Sequence, residues 1–131
     1  MVVVAIIAII SAVALPAYGE HVLRGRLTAA VGVLKDLRGR MEQRYADNRS
    51  YAATIGGCAI ANFSDNDSRF AFTCALGDGG QSYLWTAIGP TGNNQFTYNI
   101  DEAGFEQTIA APAGWTIATL PVNRFIVKKG G

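Results

Sequence analysis

Few side chains in this chain have the types and spacing that catalysis requires. His21 is the only histidine, and Glu20 is the only ionisable side chain within two residues of it. A general base must have a nucleophile or a second titratable group within hydrogen-bond reach, and the sequence provides no such arrangement. We therefore interpret His21 as a solvated or packed side chain. The chain is predicted not to be an enzyme, with no catalytic residue and no small-molecule substrate.

Two other groups of residues have side chains that bind ions in some proteins. Asp65-Asn66-Asp67-Ser68 places oxygen ligands at short spacing, but it lacks the glycine and the distal glutamate of a calcium loop. We interpret it as a polar turn, with weak calcium binding as the alternative. The two cysteines, Cys58 and Cys74, belong to no CxxC or Cys/His cluster, so no metal site and no cofactor is predicted. A disulfide is the simpler interpretation if the chain is exported.

The charge balance limits the partners that the chain can bind. The net charge is +1, and charged residues make up 16% of the 131 residues. A protein that binds nucleic acid over most of its surface needs many lysines and arginines without acidic partners. This composition excludes such a surface. Arg124, Lys128 and Lys129 nevertheless form a small basic patch near the C-terminus. Most patches of this size are simply solvated.

Residues 1–18 are apolar almost without interruption. Ser11 is the only polar side chain before Leu15, and the apolar character continues past Pro16 to Tyr18. As a helix this stretch would span about 25 Å, slightly less than the hydrocarbon core of a bilayer. A signal peptide would have a basic n-region, and a helix that is apolar on every side is hard to bury in a small domain. These observations argue against a signal peptide and against a buried core helix. The third interpretation, a membrane-resident helix, is therefore predicted.

An amphipathic helix follows directly after Pro16, which is predicted to kink it. Apolar residues recur at alternating spacings of four and three, and this places them along one face of the helix. Those residues are Leu23, Leu27, Ala30, Leu34, Leu37, Met41 and Tyr45. Gly25, Gly32 and Gly39 lie on the opposite side. They are either tolerated exposed glycines or a groove that a second helix can approach closely.

The second half alternates between turns and short strands. Residues 49–68 are predicted to be an irregular connection. Strands are predicted over residues 69–76, 82–88, 95–100 and 105–109, with 124–127 as a candidate for a last short strand. The fold class is therefore α+β, a long N-terminal helix packed on a C-terminal antiparallel sheet of about four strands. The predicted parts are the apolar half of the helix over 1–18, its amphipathic half over 19–48 and a globular head over 49–131, whose sheet covers 69–127.

Two stretches resemble a known family. MVVVAIIAIISAVALPAY resembles the N-terminal segment of type IV pilins, and RMEQRYADNRSYAA resembles the end of the pilin helix, especially in the PilE-like group. The similarity is close over residues 1–54 and is one of layout beyond them. It implies a membrane anchor before assembly that becomes the packed core of a filament afterwards. The residues expected to pack in that core are Val3, Ile6, Ile7, Ile10, Val13 and Leu15. The leader peptide and the N-terminal acidic residue of the family would precede Met1.

The resemblance implies a structural function. The chain is expected to be a type IV pilus subunit that the pilus assembly machinery polymerises with copies of itself, for adhesion, twitching motility or DNA uptake. Before assembly it is expected in the bacterial inner membrane with its head in the periplasm, and afterwards in the extracellular filament. One alternative is a minor pilin or DNA-uptake receptor, in which Arg124, Lys128 and Lys129 could contact phosphates. A type II secretion pseudopilin and a small secreted enzyme are the others.

Overall fold

A single long helix forms the N-terminal third of the molecule. The structure, a computed structural model, describes residues 1–90, 95–116 and 119–130, without the side chains of residues 13–17. Helix α1 (Val2–Asn48) ends where the sequence predicts it to end. Arg49 adopts a left-handed conformation (φ 54°), and its backbone N–H donates to the carbonyl oxygen of Tyr45 at 2.7 Å. This contact closes the last turn of the helix. The side chain of Pro16 lies outside the described residues, and the kink predicted there stays a prediction.

The head is built on one antiparallel sheet. Its strands are β1 (Phe63–Asp65), β2 (Phe70–Gly77), β3 (Ser82–Ile88), β4 (Thr97–Asp101) and β5 (Glu106–Ala110). Each strand pairs with the next one in the sequence, so the sheet is a five-stranded meander in the order β1-β2-β3-β4-β5. The predicted α+β class, with a long N-terminal helix on an antiparallel sheet, is confirmed. The division of the helix and head into three parts stays a prediction.

The strand count and two segment assignments differ from the sequence-based expectation. The predicted irregular connection contains β1, in which Phe63 lies opposite Phe72 and their rings stack with centroids 5.1 Å apart. Three residues are too few for an alternating pattern to be visible, which is why this strand escaped prediction. The fifth strand predicted over 124–127 is wrong. Residues 124–127 are irregular. An isolated bridge between Thr108 and Val122, just before them, joins this part of the chain to the sheet.

The core lies between the helix and one face of the sheet. Leu27, Ala30, Leu34 and Met41 are completely buried, so the four-three spacing identified the packed face of the helix. The sheet contributes the other half of the core, with the side chains that alternate inward along β2, β3 and β4. These are Phe70, Phe72, Tyr83, Trp85, Ala87, Tyr98 and Ile100. The opposite side chains of the same strands face away from the helix.

Two tyrosines fasten the end of the helix to the head. The hydroxyls of Tyr51 and Tyr83 donate to the carboxylate of Glu42, at 3.2 and 3.3 Å. Burial, reinforced by the negative charge of Glu42, raises the pKa of Tyr51 to about 12. The same two causes raise the pKa of Tyr83. Both phenols therefore stay protonated and keep donating throughout the physiological pH range.

The predicted disulfide is present. Cys58 and Cys74 are bonded with their Cα atoms 6.1 Å apart, and the bond ties the chain after the helix to strand β2. Replacing both cysteines by serine should lower the free energy of unfolding by about 3 kcal/mol, because the bond restricts the unfolded chain. Urea denaturation followed by circular dichroism measures this difference. Reductant should shift the wild type to the midpoint of the variant and leave the variant unchanged. An unchanged wild-type midpoint in reductant would contradict the prediction.

Candidate functional site

The residues considered for catalysis and calcium binding are exposed or engaged in local contacts. His21 is exposed on the helix, and the carboxylate of Glu20 is already paired with Arg24 and Lys129. Asp65 accepts the backbone N–H of Ser68 at 2.8 Å, as expected of a polar turn. Hydrogen bonds from the side chain and then the backbone of Ser68 lower the pKa of Asp65. Within the described ranges, no three His, Cys, Asp or Glu side chains gather in a metal-binding group.

The beginning of the helix is bare. Val3, Ile6, Ile7 and Ile10 are between 51% and 67% exposed, although all four are strongly apolar. An apolar surface of this extent is typical of a region that packs against another protein or a membrane. Within the part of the chain that the structure describes, no helical stretch is both long and apolar enough to cross a bilayer. The side chains of Val13 and Leu15 lie outside the described residues.

The glycine series faces open space. Gly25, Gly32 and Gly39 are exposed, and a Cβ atom added at any of them would meet nothing within 4 Å. The three positions therefore lie opposite the buried face of the helix, as the periodicity indicates. The packing of a second helix against these three glycines stays a prediction.

The C-terminal segment follows a path that strand β5 determines. The backbone of Thr108 exchanges hydrogen bonds with Val122 at 2.9 and 3.0 Å. The Thr108 hydroxyl donates to the carbonyl oxygen of Arg124 at 2.7 Å and accepts the N–H of Ile126 at 3.0 Å. Ile126 is buried, and its carbonyl oxygen accepts the hydroxyl of Tyr98. These contacts hold the segment over the sheet and lead its last residues back to the helix.

Basic side chains from the two ends of the chain meet where this segment reaches the helix. The Nζ atom of Lys129 lies 3.1 Å from the carboxylate of Glu20, which also pairs with Arg24. Hydrogen bonds from Arg24 and then Lys129 lower the pKa of Glu20. Arg124 and Lys128 are exposed and form no ion pair within the described residues. We call Arg24, Arg124, Lys128 and Lys129 the basic patch. Glu20 pairs with two of these four cations, Arg24 and Lys129, so the four cations and this carboxylate together carry a charge of +3.

Other cations of the helix are committed to internal contacts. Lys35 pairs with Glu106 at 3.1 Å, and Arg40 pairs with Asp36 at 2.8 Å. The guanidinium group of Arg38 lies against Gly104, so close that a Cβ atom there would be 2.7 Å from its central carbon. Arg26, Arg38 and Arg44 of the helix also form no ion pair within the described ranges, but they are only partly exposed, whereas Arg124 and Lys128 of the basic patch are exposed.

The sequence alone indicated three of the four cations of this patch. It identified Arg124, Lys128 and Lys129 as neighbours along the chain. It did not place Arg24 and Glu20 beside them, because Lys129 and Glu20 are 109 residues apart in sequence and only the tertiary fold joins them. No local signal in the sequence indicates this contact.

A bare apolar helix that continues into a head built on an antiparallel meander defines the class of type IV pilins. The model of one family within that class, described as "Type IV minor pilin ComP, DNA uptake sequence receptor", matches residues 16–106. This range is more than half of the chain, and the chain belongs to this family. The resemblance to type IV pilins is thereby confirmed, although not to the PilE-like group. No curated protein and no solved structure gives a significant match.

The family assignment supports the expected role and location only at the level of type IV pilins as a class. Type IV pilins are structural or receptor proteins that are associated with pili and membranes. The matched range includes Arg24 and the whole sheet up to the first residue of β5. It ends before the C-terminal segment, so the exposed cations Arg124 and Lys128 are features of this chain that the match does not cover.

Proposed function

We propose that this chain is a minor pilin whose head binds DNA during DNA uptake. The observation that carries the proposal is the basic patch, where two exposed cations have no neutralising partner in the part of the chain that the structure describes. The description of the family supports a DNA ligand. This proposal corresponds to the alternative drawn from the sequence, rather than to the main expectation of a filament-forming subunit.

The chemistry of the patch suits the DNA backbone. Lysine and arginine side chains contact phosphate oxygens and release condensed counterions, which supplies most of the sequence-independent affinity. The summed charge of +3 matches about three phosphates, which is enough for weak binding but not for a wide electrostatic footprint. The rest of the chain is close to neutral, so it would add little attraction to DNA. The basic patch would then determine the orientation of the head on the duplex.

The bare helix is proposed to hold the head in the pilus. Its exposed apolar side chains would pack among the helices of other pilins, with the inner membrane as their environment before the assembly machinery extracts the chain. The head would then lie in the periplasm before assembly and on the extracellular filament afterwards. A filament made only of copies of this chain is the second candidate, and the length of bare apolar helix is the observation that favours it.

Direct binding to duplex DNA tests the proposed function. The full chain, held in detergent micelles, is titrated into a short fluorescein-labelled duplex at low salt, and fluorescence anisotropy is recorded. We expect saturable binding with a dissociation constant of about 10–100 µM, the range of non-specific contacts. A chain that serves only as a filament subunit would give no saturable change. That result, with the circular dichroism spectrum of a folded head, would overturn the proposal.

A further inference from the structure

The sheet face that points away from the helix is almost free of charge. The outward residues of β2 and β3 are small, hydroxylic or aliphatic, and Asn99 and Gln107 continue this character on β4 and β5. Asp101, at the end of β4, is the only ionisable residue among the outward positions of these strands. A solvent-facing sheet without lysine or glutamate is unusual, because these residues are mostly exposed on protein surfaces. This face therefore has the properties of a binding surface.

Hydrogen-bonding side chains cross this face in a row. Thr73, Thr86, Asn99 and Gln107 lie directly opposite one another on four neighbouring strands, which are about 4.8 Å apart in a sheet. The Oδ1 atom of Asn99 is buried and accepts no hydrogen bond from the described residues. Two members also donate within the chain, Gln107 to the Oδ1 atom of Asn123 at 3.2 Å and Thr73 to the carbonyl oxygen of Thr86 at 3.5 Å. The row is a linear array of amides and hydroxyls with further acceptor capacity.

Aliphatic side chains flank the row on β3. Leu84 and Ile88 are 39% and 37% exposed, one on either side of Thr86 along the strand. A ligand that lies across the strands would meet polar groups in the middle and apolar groups beside them.

A groove of about 530 Å³ continues the face at one end. Ala71 and Ile88, which belong to the outer face, form part of its lining, together with Asn66, Arg69 and Pro90. The backbone N–H of Arg69 donates to the carbonyl oxygen of Asp65 at 2.9 Å, and this contact holds the turn in which Arg69 has a φ of 62°. The Arg69 side chain forms no ion pair within the described ranges. The groove therefore has a mixed lining, in which the polar residues Ser64, Asp65, Asn66 and Arg69 lie beside the apolar residues Phe70, Ala71, Ile88 and Pro90.

The charges around the groove select the ligand class. Asp65 and Asp67 lie in the same turn as Arg69, so the local charge is −1, which disfavours phosphate groups. Uncharged sugars present hydroxyl groups that donate and accept, beside C–H surfaces that pack on aliphatic side chains. We propose that the outer sheet face and its groove bind an uncharged glycan chain. This site is separate from the basic patch, and it does not depend on DNA binding.

A titration with neutral oligosaccharides tests the site in the wild-type chain. Cellohexaose, chitohexaose and maltohexaose are added separately to the isotope-labelled full chain in a sugar-free detergent, and the backbone amide signals are followed. At least one sugar should give saturable shifts at millimolar concentration in β2, β3 and the turn around Asn66, with none at Lys128 and Lys129 of the basic patch. If no sugar shifts these signals, or if short duplex DNA shifts the same signals, the proposal is wrong.

A pair of matched variants adds a second test. Thr86→Lys places a charge in the middle of the row, and Thr28→Lys makes the same change at an exposed position on the helix. Thr86→Lys should weaken sugar binding by about tenfold, because the bound sugar would desolvate an unpaired ammonium group. Thr28→Lys should leave binding unchanged. Equal effects of the two variants, or a wild-type dimer that only Thr86→Lys dissociates, would instead indicate a non-specific effect or a second copy as the occupant. Asn66→Ala, in the groove, provides a further variant if Thr86→Lys does not fold.

Discussion

Replacing Trp85 by alanine should destabilise the head by about 3–5 kcal/mol, one of the two largest effects that we expect. Trp85 is completely buried on the helix-facing side of β3, between Cys74 on β2 and Ile100 on β4. The change removes a large apolar side chain and leaves a cavity that the surrounding strands can fill only in part. Urea denaturation measures the loss as a lower unfolding midpoint.

Two control variants test whether the loss of stability comes from the burial of the Trp85 side chain. Leu84→Ala changes the neighbouring residue on the opposite, partly exposed face of β3 and should cost less than about 1.5 kcal/mol. Trp85→Phe removes the indole nitrogen, which is buried without a hydrogen-bond partner within the described residues, so part of the lost packing is offset. It should therefore cost less than half as much as Trp85→Ala. Equal losses for Trp85→Ala and Leu84→Ala would contradict the assignment of the two sheet faces.

Reversing two charges of the basic patch should lower DNA affinity by about 100-fold at low salt. Each phosphate contact contributes about tenfold to the binding constant near 50 mM salt, and the variant Arg124→Glu with Lys128→Glu removes two such contacts. The slope of log K against log salt concentration should become shallower by about 2. Anisotropy titrations of the wild type and the variant over a range of salt concentrations measure both quantities.

The control for this experiment changes the net charge equally at another place. Arg40→Glu with Arg49→Glu alters two exposed arginines near the C-terminal end of the helix, far along it from Glu20. We expect less than about a fivefold loss of affinity and little change in slope, because distant charges are screened within about 10 Å at moderate salt. If both double variants lose affinity equally, the DNA contacts are spread over the molecule, and the patch is not the site.

The fold could be predicted wherever the sequence pattern was long. The apolar spacing from Leu27 to Met41 identified the buried helix face, and alternation over β2 and β3 identified the inward side chains. Strand β1 was missed because it has only three residues. The segment 124–127 has apolar residues typical of a strand. Its backbone, however, bonds to the Thr108 hydroxyl, and the bridge to the sheet is made by Val122, which precedes the segment.

The functional site could be predicted only in part, for a different physical reason. Lys128 and Lys129 are adjacent in sequence, whereas Arg24 joins them only through the return of the C-terminal segment to Glu20. The N-terminal helix resembles that of type IV pilins in general, so it could not distinguish a filament subunit from a DNA receptor. The family match favours the DNA receptor, because the matched model is described as one and covers most of the head as well as part of the helix.

The salt dependence of DNA binding by the wild-type chain is the most direct test of the patch as a phosphate-binding surface. The summed charge of +3 on the patch predicts a plot of log K against log salt concentration with a slope of about −2 to −3. A slope near zero, or no binding at any salt concentration by a folded chain, would contradict the account.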